Sequence, residues 1–248
     1  MFSDDDLIDA ALGGSAVPAL KIRPSQVNRY LACPARYELE QHAGFGDTLT
    51  VSQVFGNAVH ADVAGDGYAL PEIVSFDRWT RNWRDFHAQR KMAVRAFTRE
   101  LERWNLTVER SELDLEIRAA VGRRDIVMVG RIDLICRDQW DRSWVVDLST
   151  SRRTGRSKGL QVALYTWMLE KYEELSLSGA YVLRFARGVT SMPEGCEMFR
   201  YEYTEMMTEA ETVLNTMAAL DGVDRAMAIP GEHCVKCENL GCVYNDGE

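Results

Sequence analysis

Apolar and polar residues recur along this chain with two periods, and each period predicts a different kind of element. Apolar side chains spaced three to four residues apart predict helices around Tyr30, around His60 and over residues 75–104, 159–175 and 205–220. Apolar or alternating runs bounded by polar turns predict strands over residues 113–121, 126–136, 144–148, 180–185 and 198–203. Three strands, a helix, two strands and a helix predict an α/β fold in which helices flank a mixed central sheet.

The organisation of the chain is predicted to be simple. We expect residues 1–20 to form a flexible N-terminal segment and residues 21–248 to form one domain. Within that domain, residues 67–105 are predicted as a helical insertion and residues 230–248 as a cysteine-bearing tail. The turns between the first three strands are assigned to residues 122–125 and 137–142.

Composition narrows the classes of function. The chain has 248 residues, 46% hydrophobic residues and a net charge of -9, which indicates a globular protein and argues against one that coats nucleic acid through bulk positive charge. The charge is segregated, however, because residues 81–103 and 148–160 each carry a balance of +4 and the remainder carries -17. The basic residues comprise 24 Arg and only five Lys, namely Lys21, Lys91, Lys158, Lys171 and Lys236.

The N-terminal residues carry four carboxylates and no basic region that would resemble a secretory signal. No apolar run approaches the length of a membrane span, so no membrane association is expected. A cytoplasmic location is the default expectation. In a reducing compartment, clustered cysteines favour a metal over a disulfide framework.

Two acidic residues stand within otherwise apolar strands: Asp133 in GRIDLI and Asp147 in WVVDLSTS. An unpaired charge is costly there, so each requires a partner or a metal, unless both are strand-end caps or surface ion pairs. Gln161 and Tyr165 are four residues apart and share one helix face. His60 lies on a short helix, where it is either a metal ligand or a hydrogen-bonded core histidine.

Several motifs, in this order and spacing, resemble the PD-(D/E)xK nucleases, and within them the RecB/AddB-like branch that includes the CRISPR-associated iron–sulfur exonucleases. The match runs through most of the chain. It comprises Ser25-x4-Tyr30-x2-Cys33-Pro34, Gly56-x3-His60, Gly130-Arg-Ile-Asp133, Asp147 followed by Thr150-Ser151, Gln161-x3-Tyr165 and the terminal cysteines.

The resemblance implies a metal-dependent nuclease whose cofactor is Mn²⁺ or Mg²⁺, held by oxygen ligands. It implies metal ligation by His60, Asp133, Asp147 and the backbone carbonyl of Leu148. An imidazole ligand suits Mn²⁺ better than Mg²⁺. Gln161 and Tyr165 are implied to orient the DNA and the metal-bound acid.

One catalytic position departs from the family pattern. The family places a lysine two residues after the second acid, where this chain has Ser149, whose neutral hydroxyl cannot replace an ammonium. Three interpretations remain open. The lysine role has migrated, with Lys158 as the best candidate and Arg152 or Arg153 as poorer ones; the protein has lost cleavage but still binds DNA and metal; or Ser149 is an engineered change.

Three cysteines near the C-terminus form the pattern Cys234-x2-Cys237-x4-Cys242, which is typical of half-sites for zinc or an iron–sulfur cluster. A fourth ligand is missing locally. His233 would complete a zinc site, whereas the resemblance implies Cys33 and a [4Fe–4S] cluster. Either metal would join the N-terminal helix to the C-terminal tail.

Basic residues suggest where DNA would bind. Arg152, Arg153 and Arg156 follow the Asp147 strand and are expected near the scissile phosphate. Arg95 and Arg99 belong to a row that recurs every four residues, which indicates either phosphate tracking or a solvated helix face.

The resulting hypothesis is a DNA exonuclease acting on single-stranded ends, with a possible protein partner in a recombination, phage or CRISPR-adaptation complex. The alternatives are a non-cleaving DNA-binding or interaction module of the same fold, and a zinc-stapled scaffold whose carboxylates are structural.

Overall fold

The computed structural model describes residues 20–42, 51–68, 83–121, 124–150, 156–173, 175–185 and 196–220, together with Ile229, Gly231 and Cys234. Its helices are α1 (Val27–Ala32), α2 (Pro34–His42), α3 (Val51–Ala64), α4 (Trp83–Arg103), α5 (Arg156–Glu173) and α6 (Tyr203–Leu220). Its strands are β1 (Leu20–Ile22), β2 (Thr107–Val121), β3 (Arg124–Arg137), β4 (Ser143–Ser149), β5 (Leu177–Arg184) and β6 (Glu197–Glu202). A 3-10 turn over Pro24–Gln26 precedes α1.

The strands form one mixed sheet in which β3 is paired along both edges. β2 runs antiparallel along one edge over almost the whole length of β3. The other edge is shared, because β1 pairs in parallel with residues 126–128 and β4 pairs antiparallel with residues 134–137. β5 lies parallel to β4, and β6 lies antiparallel to β5. On this shared edge, residues 129–133 of β3 therefore lie between the segment that pairs with β1 and the segment that pairs with β4.

Helices pack on both faces of the sheet and create two apolar cores. α1, α5 and α6 cover one face, which includes Val145 of β4. α3 and α4 cover the other face, which includes Val146 and Leu148. Because side chains alternate along a strand, Asp147 and Ser149 point with Val145 towards α5. None of the described helices is both long and apolar enough to cross a membrane.

Most predicted elements are confirmed, and their differences from the prediction lie mainly at the ends. The α/β class, the helix carrying His60 and the antiparallel β2–β3–β4 meander are present. β2 begins at Thr107, six residues earlier than expected, because its polar first half pairs with the end of β3. Arg124 and Asp125 were predicted in a turn but belong to β3, since the ladder with β2 continues to Val121↔Arg124.

Other differences concern the ends of the chain and the insertion. Leu20 lies in β1 rather than in a flexible segment, because it pairs with Ile126; residues 1–19 lie outside the described residues. The predicted insertion is helical over α4, whereas residues 69–82 are not described. Trp104 was predicted as the last residue of this helix, but it follows the last helical residue and its side chain is 39% exposed.

A buried aspartate fixes the hairpin between β3 and β4. The Asp138 side chain is 4% exposed. It accepts hydrogen bonds from the backbone N–H groups of Trp140 and Arg142, from Nε of Arg142 and from the indole N–H of Trp144, at 2.8 to 3.0 Å. Burial alone would raise the pKa of Asp138, but these donors outweigh it and lower the pKa to about 2.

This hairpin sets the relation of the two acidic strand positions. Its ladder runs inward to the pair Leu134↔Val146. The next residues along the two strands are Asp133 and Asp147. Asp138 fixes the register of β3 and β4 at their hairpin, and this register places Asp133 and Asp147 next to each other at the far end of the β3–β4 ladder.

We expect Asp138→Asn to reduce the free energy of unfolding by roughly 1–3 kcal/mol, since the substitution replaces one carboxylate oxygen and the negative charge that accept these hydrogen bonds. The folded pKa is depressed, so the carboxylate stabilises the protein above about pH 4, and this contribution is lost as pH falls towards 2. Urea unfolding at pH 5 and at pH 2.5 measures the effect.

The difference between wild type and Asp138→Asn should narrow at the lower pH. Asp141→Asn is the matched control, because this side chain in the same turn is 80% exposed. A stability difference of the same size at both pH values would contradict the assigned role of the ionised carboxylate.

Candidate active site

The first contact of the site joins α3 to β3. His60 Nδ1 lies 3.2 Å from Asp133 Oδ1, and Asp133 Oδ2 accepts the backbone N–H of Leu148 at 2.7 Å. Burial alone would lower the pKa of His60, but the charge and hydrogen bond of Asp133 raise it to about 9. Burial would raise the pKa of Asp133, yet the imidazolium lowers it. The structure therefore brings together two residues predicted as metal ligands.

Close packing of α3 on the sheet makes this contact available. A Cβ on Gly56 would lie 3.3 Å from the Thr150 side-chain oxygen, just beyond the end of β4. Glycine at this position lets the helix approach the strand ends. His60 follows one helical turn later on α3, where it reaches Asp133. This arrangement gives a physical reason for the Gly56-x3-His60 spacing.

The second contact joins β4 to the first turn of α5. The Asp147 side chain is 2% exposed, and its Oδ2 lies 2.9 Å from Lys158 Nζ. Asp147 Oδ1 accepts hydrogen bonds from Gln161 Nε2 at 2.8 Å and from Lys158 Nζ at 3.2 Å. Lys158 also donates to Gln161 Oε1 at 3.2 Å. Asp147, Lys158 and Gln161 thus form a closed triangle of hydrogen bonds.

The charges in this triangle follow from burial and contact. Burial raises the pKa of Asp147, and Lys158 opposes that increase. Burial alone would lower the pKa of Lys158, but Asp147 and Asp133 raise it. Lys158 is therefore an ammonium ion at neutral pH, and it can stabilise negative charge but cannot serve as a general base.

Ser149 occupies the position where the family pattern has a lysine. It is 3% exposed and shares the strand face of Asp147. Lys158 supplies an ammonium to the same carboxylate from a helix rather than from the strand. This contact is the one that the migrated-lysine interpretation of Ser149 requires, and the interpretation itself stays a prediction.

Tyr165 packs directly on the GRID motif. A Cβ on Gly130 would lie 2.6 Å from Cε1 of the Tyr165 ring, so a larger residue would force the ring or the strand to move. The Tyr165 hydroxyl is hydrogen-bonded to the Gln161 side chain and to the backbone of Arg131. This backbone belongs to the β3 edge between β1 and β4. Tyr165 therefore connects α5 to that edge, next to Asp133.

Sequence reasoning missed one acidic residue of the site, Glu112 of β2. Glu112, His60 and Asp133 each offer a ligand atom, and these atoms lie within 4.8 Å of one another. Burial raises the pKa of Glu112, as does the charge of Asp133. Its φ of 48° is a left-handed conformation that costs a non-glycine residue about 1–3 kcal/mol and that is found at functional sites.

This mixed nitrogen and oxygen donor set fits a divalent cation such as Mn²⁺, which accepts carboxylate and imidazole ligands. Asp147 does not belong to the group of three, and its predicted role as a ligand stays a prediction. The same holds for the Leu148 carbonyl, since the contact of Leu148 with the site is made by its N–H.

The predicted DNA-binding residues are only partly described. Arg95 and Arg99 are exposed on α4, as are Lys91 and Arg103 of the same row. Arg152 and Arg153 lie outside the described residues, as does the side chain of Arg156. The role of all five predicted arginines in binding DNA stays a prediction.

The cysteine cluster is also only partly described. Cys33 is buried at the end of α1 and Cys234 is half-buried, whereas Cys237 and Cys242 lie outside the described residues. Among the described side chains, the group of three that could hold a metal ion contains no cysteine. The iron–sulfur cluster predicted from the cysteine pattern therefore stays a prediction.

Comparison with known proteins identifies the family. The chain matches the family model of the PD-(D/E)XK nuclease superfamily over residues 21–242, and it therefore belongs to that superfamily. Membership indicates metal-dependent hydrolysis of phosphodiester bonds in a nucleic acid. No curated protein matches the chain significantly. A crystal structure described as that of SSO0001 is similar with a TM-score of 0.46 and 13% identity, over 94% of this chain and 89% of that chain.

We expect Mn²⁺ to raise the thermal unfolding temperature, because an ion that binds only the folded state stabilises it. Glu112→Gln should weaken the dependence of this temperature on Mn²⁺ concentration, since it removes one of the two carboxylates that, with His60, make up the candidate ligand set. Differential scanning calorimetry over a series of Mn²⁺ concentrations measures both.

The matched control is Asp114→Asn, two residues further along β2, whose side chain is 74% exposed and is not part of the group. It should respond to Mn²⁺ as wild type does. An unchanged response of Glu112→Gln would remove Glu112 from the metal site.

Proposed function

We propose that this protein is a metal-dependent DNA exonuclease of the RecB/AddB-like branch, in which Lys158 takes the place of the lysine missing at position 149. The observation that carries the proposal is the contact between Lys158 Nζ and Asp147, at 2.9 Å. Without an ammonium near the second acid, the serine would argue for a protein that binds but does not cleave. Lys158 is one of only five lysines, and it lies at that carboxylate.

The chemistry divides between the proposed metal site and the triangle on α5. A bound Mn²⁺ or Mg²⁺ would neutralise a phosphoryl oxygen and make a coordinated water more acidic. Lys158 contributes a fixed positive charge beside Asp147, which stabilises the negative charge that develops on the attacked phosphate. Gln161 holds both partners of the ion pair, and Tyr165 fixes the distance of α5 from β3. The electrostatic environment is therefore organised before the substrate arrives.

The proposed substrate is single-stranded DNA, taken from an end. Support for a nucleic-acid substrate comes from the segregation of positive charge within an acidic chain. The exposed basic residues of α4, Lys91, Arg95, Arg99 and Arg103, form a row that could contact successive phosphates of a strand. Arg152, Arg153 and Arg156 would act beside the scissile phosphate. Recombination, phage replication and CRISPR adaptation are the settings proposed for a protein partner.

We expect Lys158→Met to reduce the cleavage rate by about 10²–10³-fold, which is the usual cost of removing one stabilising charge or donor from a transition state. Its response to Mn²⁺ in thermal unfolding should remain, because the metal group does not include Lys158. The assay follows the release of nucleotides from end-labelled single-stranded DNA with Mn²⁺. Lys171→Met, an exposed lysine in the last turn of the same helix, is the control.

A rescue variant sharpens the test. Ser149→Lys combined with Lys158→Met should regain part of the activity, because position 149 shares the strand face of Asp147. Cleavage that is unaffected by Lys158→Met would contradict the proposed role. Cleavage by Ser149→Lys but not by the chain with Ser149 would show instead that the chain with Ser149 is a non-cleaving module.

We also propose that Cys33, Cys234, Cys237 and Cys242 hold a [4Fe–4S] cluster. Two observations support it: α1, which ends next to Cys33, packs against α6, and the family match extends to residue 242. The cysteine pattern and the buried position of Cys33 are compatible with this ligand set. A cluster would tie the start of the domain to its end.

Protein purified without oxygen should be brown and contain about four iron atoms per chain, if all four thiolates bind a cubane cluster. Cys33→Ser should lose most of this iron, whereas Cys136→Ser, a buried cysteine in β3, should keep it. Metal analysis and absorption spectroscopy measure both. Colourless protein with one zinc ion would favour the zinc alternative.

A further inference from the structure

One exposed arginine lies beside the metal group and has no role in the function proposed so far. Arg131 is two residues before Asp133 on β3, and both residues lie beside Glu112 of β2: Arg131 Nη1 is 3.4 Å from Glu112 Oε2, and ligand atoms of Asp133 and Glu112 lie within 4.8 Å of each other. Glu112 and Asp114 occupy the same face of the neighbouring strand β2. The face is covered by α3 near His60 and becomes exposed at Asp114 and Arg131, whose side chains are 74% and 58% exposed.

The guanidinium of Arg131 is anchored on one side. Its Nε donates to Asp114 Oδ1 at 2.8 Å and its Nη2 to Asp114 Oδ2 at 3.3 Å, which is a two-pronged contact. A third, longer hydrogen bond of 3.4 Å joins Nη1 to Glu112 Oε2. Arginine has five N–H donors, so two remain without an acceptor among the described residues.

The stability gained from these contacts does not explain why they are placed here. Ion pairs at exposed positions contribute only about 0–1 kcal/mol. The Arg131 contacts instead orient a positive charge at the point where the open sheet face meets Glu112. Glu112 stays within reach of both His60 and Arg131 at the expense of a left-handed backbone.

We propose that Arg131, held by Asp114, contacts a backbone phosphate of the nucleic acid as the strand enters the metal group. This inference rests on the proposed function. The free N–H groups and the long bond to Glu112 are the ones that a phosphate would use, while the fork to Asp114 stays in place. Lys158 is the partly buried cation on the α5 side of the acids, and Arg131 is the exposed cation on the opposite side of the sheet.

The test measures binding of a fluorescein-labelled single-stranded oligodeoxynucleotide by anisotropy, with Mn²⁺ present, in the Lys158→Met background. Arg131→Gln should weaken binding about 10-fold. It should also reduce the slope of log affinity against log salt concentration by the amount that corresponds to about one phosphate contact. Arg131→Lys should retain most of the slope, because it keeps the charge. Mn²⁺ should still raise the unfolding temperature of Arg131→Gln.

Arg118→Gln is the matched control. Arg118 is an exposed arginine on the same face of β2, six residues from Glu112, and its loss should leave affinity and slope near those of the background protein. Equal effects of the two substitutions would overturn the proposal, as would a loss of the Mn²⁺ response in Arg131→Gln. If wild type and the background protein bind no DNA, the proposed function itself fails, which is distinguishable from normal binding that is unaffected by Arg131→Gln.

Discussion

The burial of Asp147 is the constraint on which the rest of the site depends. A carboxylate on a central strand, with apolar neighbours in β4 and almost no exposure to water, requires compensation. Lys158 and Gln161 provide it, and both come from the first turns of α5. The position of this helix on the sheet is therefore determined by charge as well as by apolar packing. Gly130 and Tyr165 also determine the position of α5, since the contact between them sets how closely the helix approaches β3.

The fold and much of the site could be predicted from the sequence because the signals are local. The strands of Asp133 and Asp147 stand out as apolar runs interrupted by one acid, and the spacing of Gln161 and Tyr165 gives one helix face. Contacts between elements that are distant in sequence were harder to predict. Lys158 was a candidate because lysines are scarce and because it lies just before Gln161 in the sequence, but its contact with Asp147 depends on how α5 packs on the sheet.

The failure to predict Glu112 has a specific cause. β2 alternates acidic and apolar residues, so nothing in its composition distinguishes Glu112 from Asp114 or Glu116. A turn assigned to four residues places Asp114 opposite Asp133. In the structure Val121 pairs with Arg124, which leaves two residues between the strands and places Glu112 in register with Asp133. A four-residue turn would therefore have indicated Asp114 rather than Glu112 as the neighbour of Asp133.

The location of Lys158 in the first turn of α5 has a consequence for how inactive variants are chosen. The positive end of the helix dipole and the lysine charge repel each other, and Asp147 is the anion that offsets both. Replacement of Asp147 by alanine would thus remove a proposed metal ligand and also the anion that holds the beginning of α5, a helix that packs on the main core. A substitution at Asp133 leaves that anchorage intact but removes the partner of His60 and of the Leu148 N–H, so the two acids hold different elements in place: Asp147 holds α5, and Asp133 holds α3 and the end of β4.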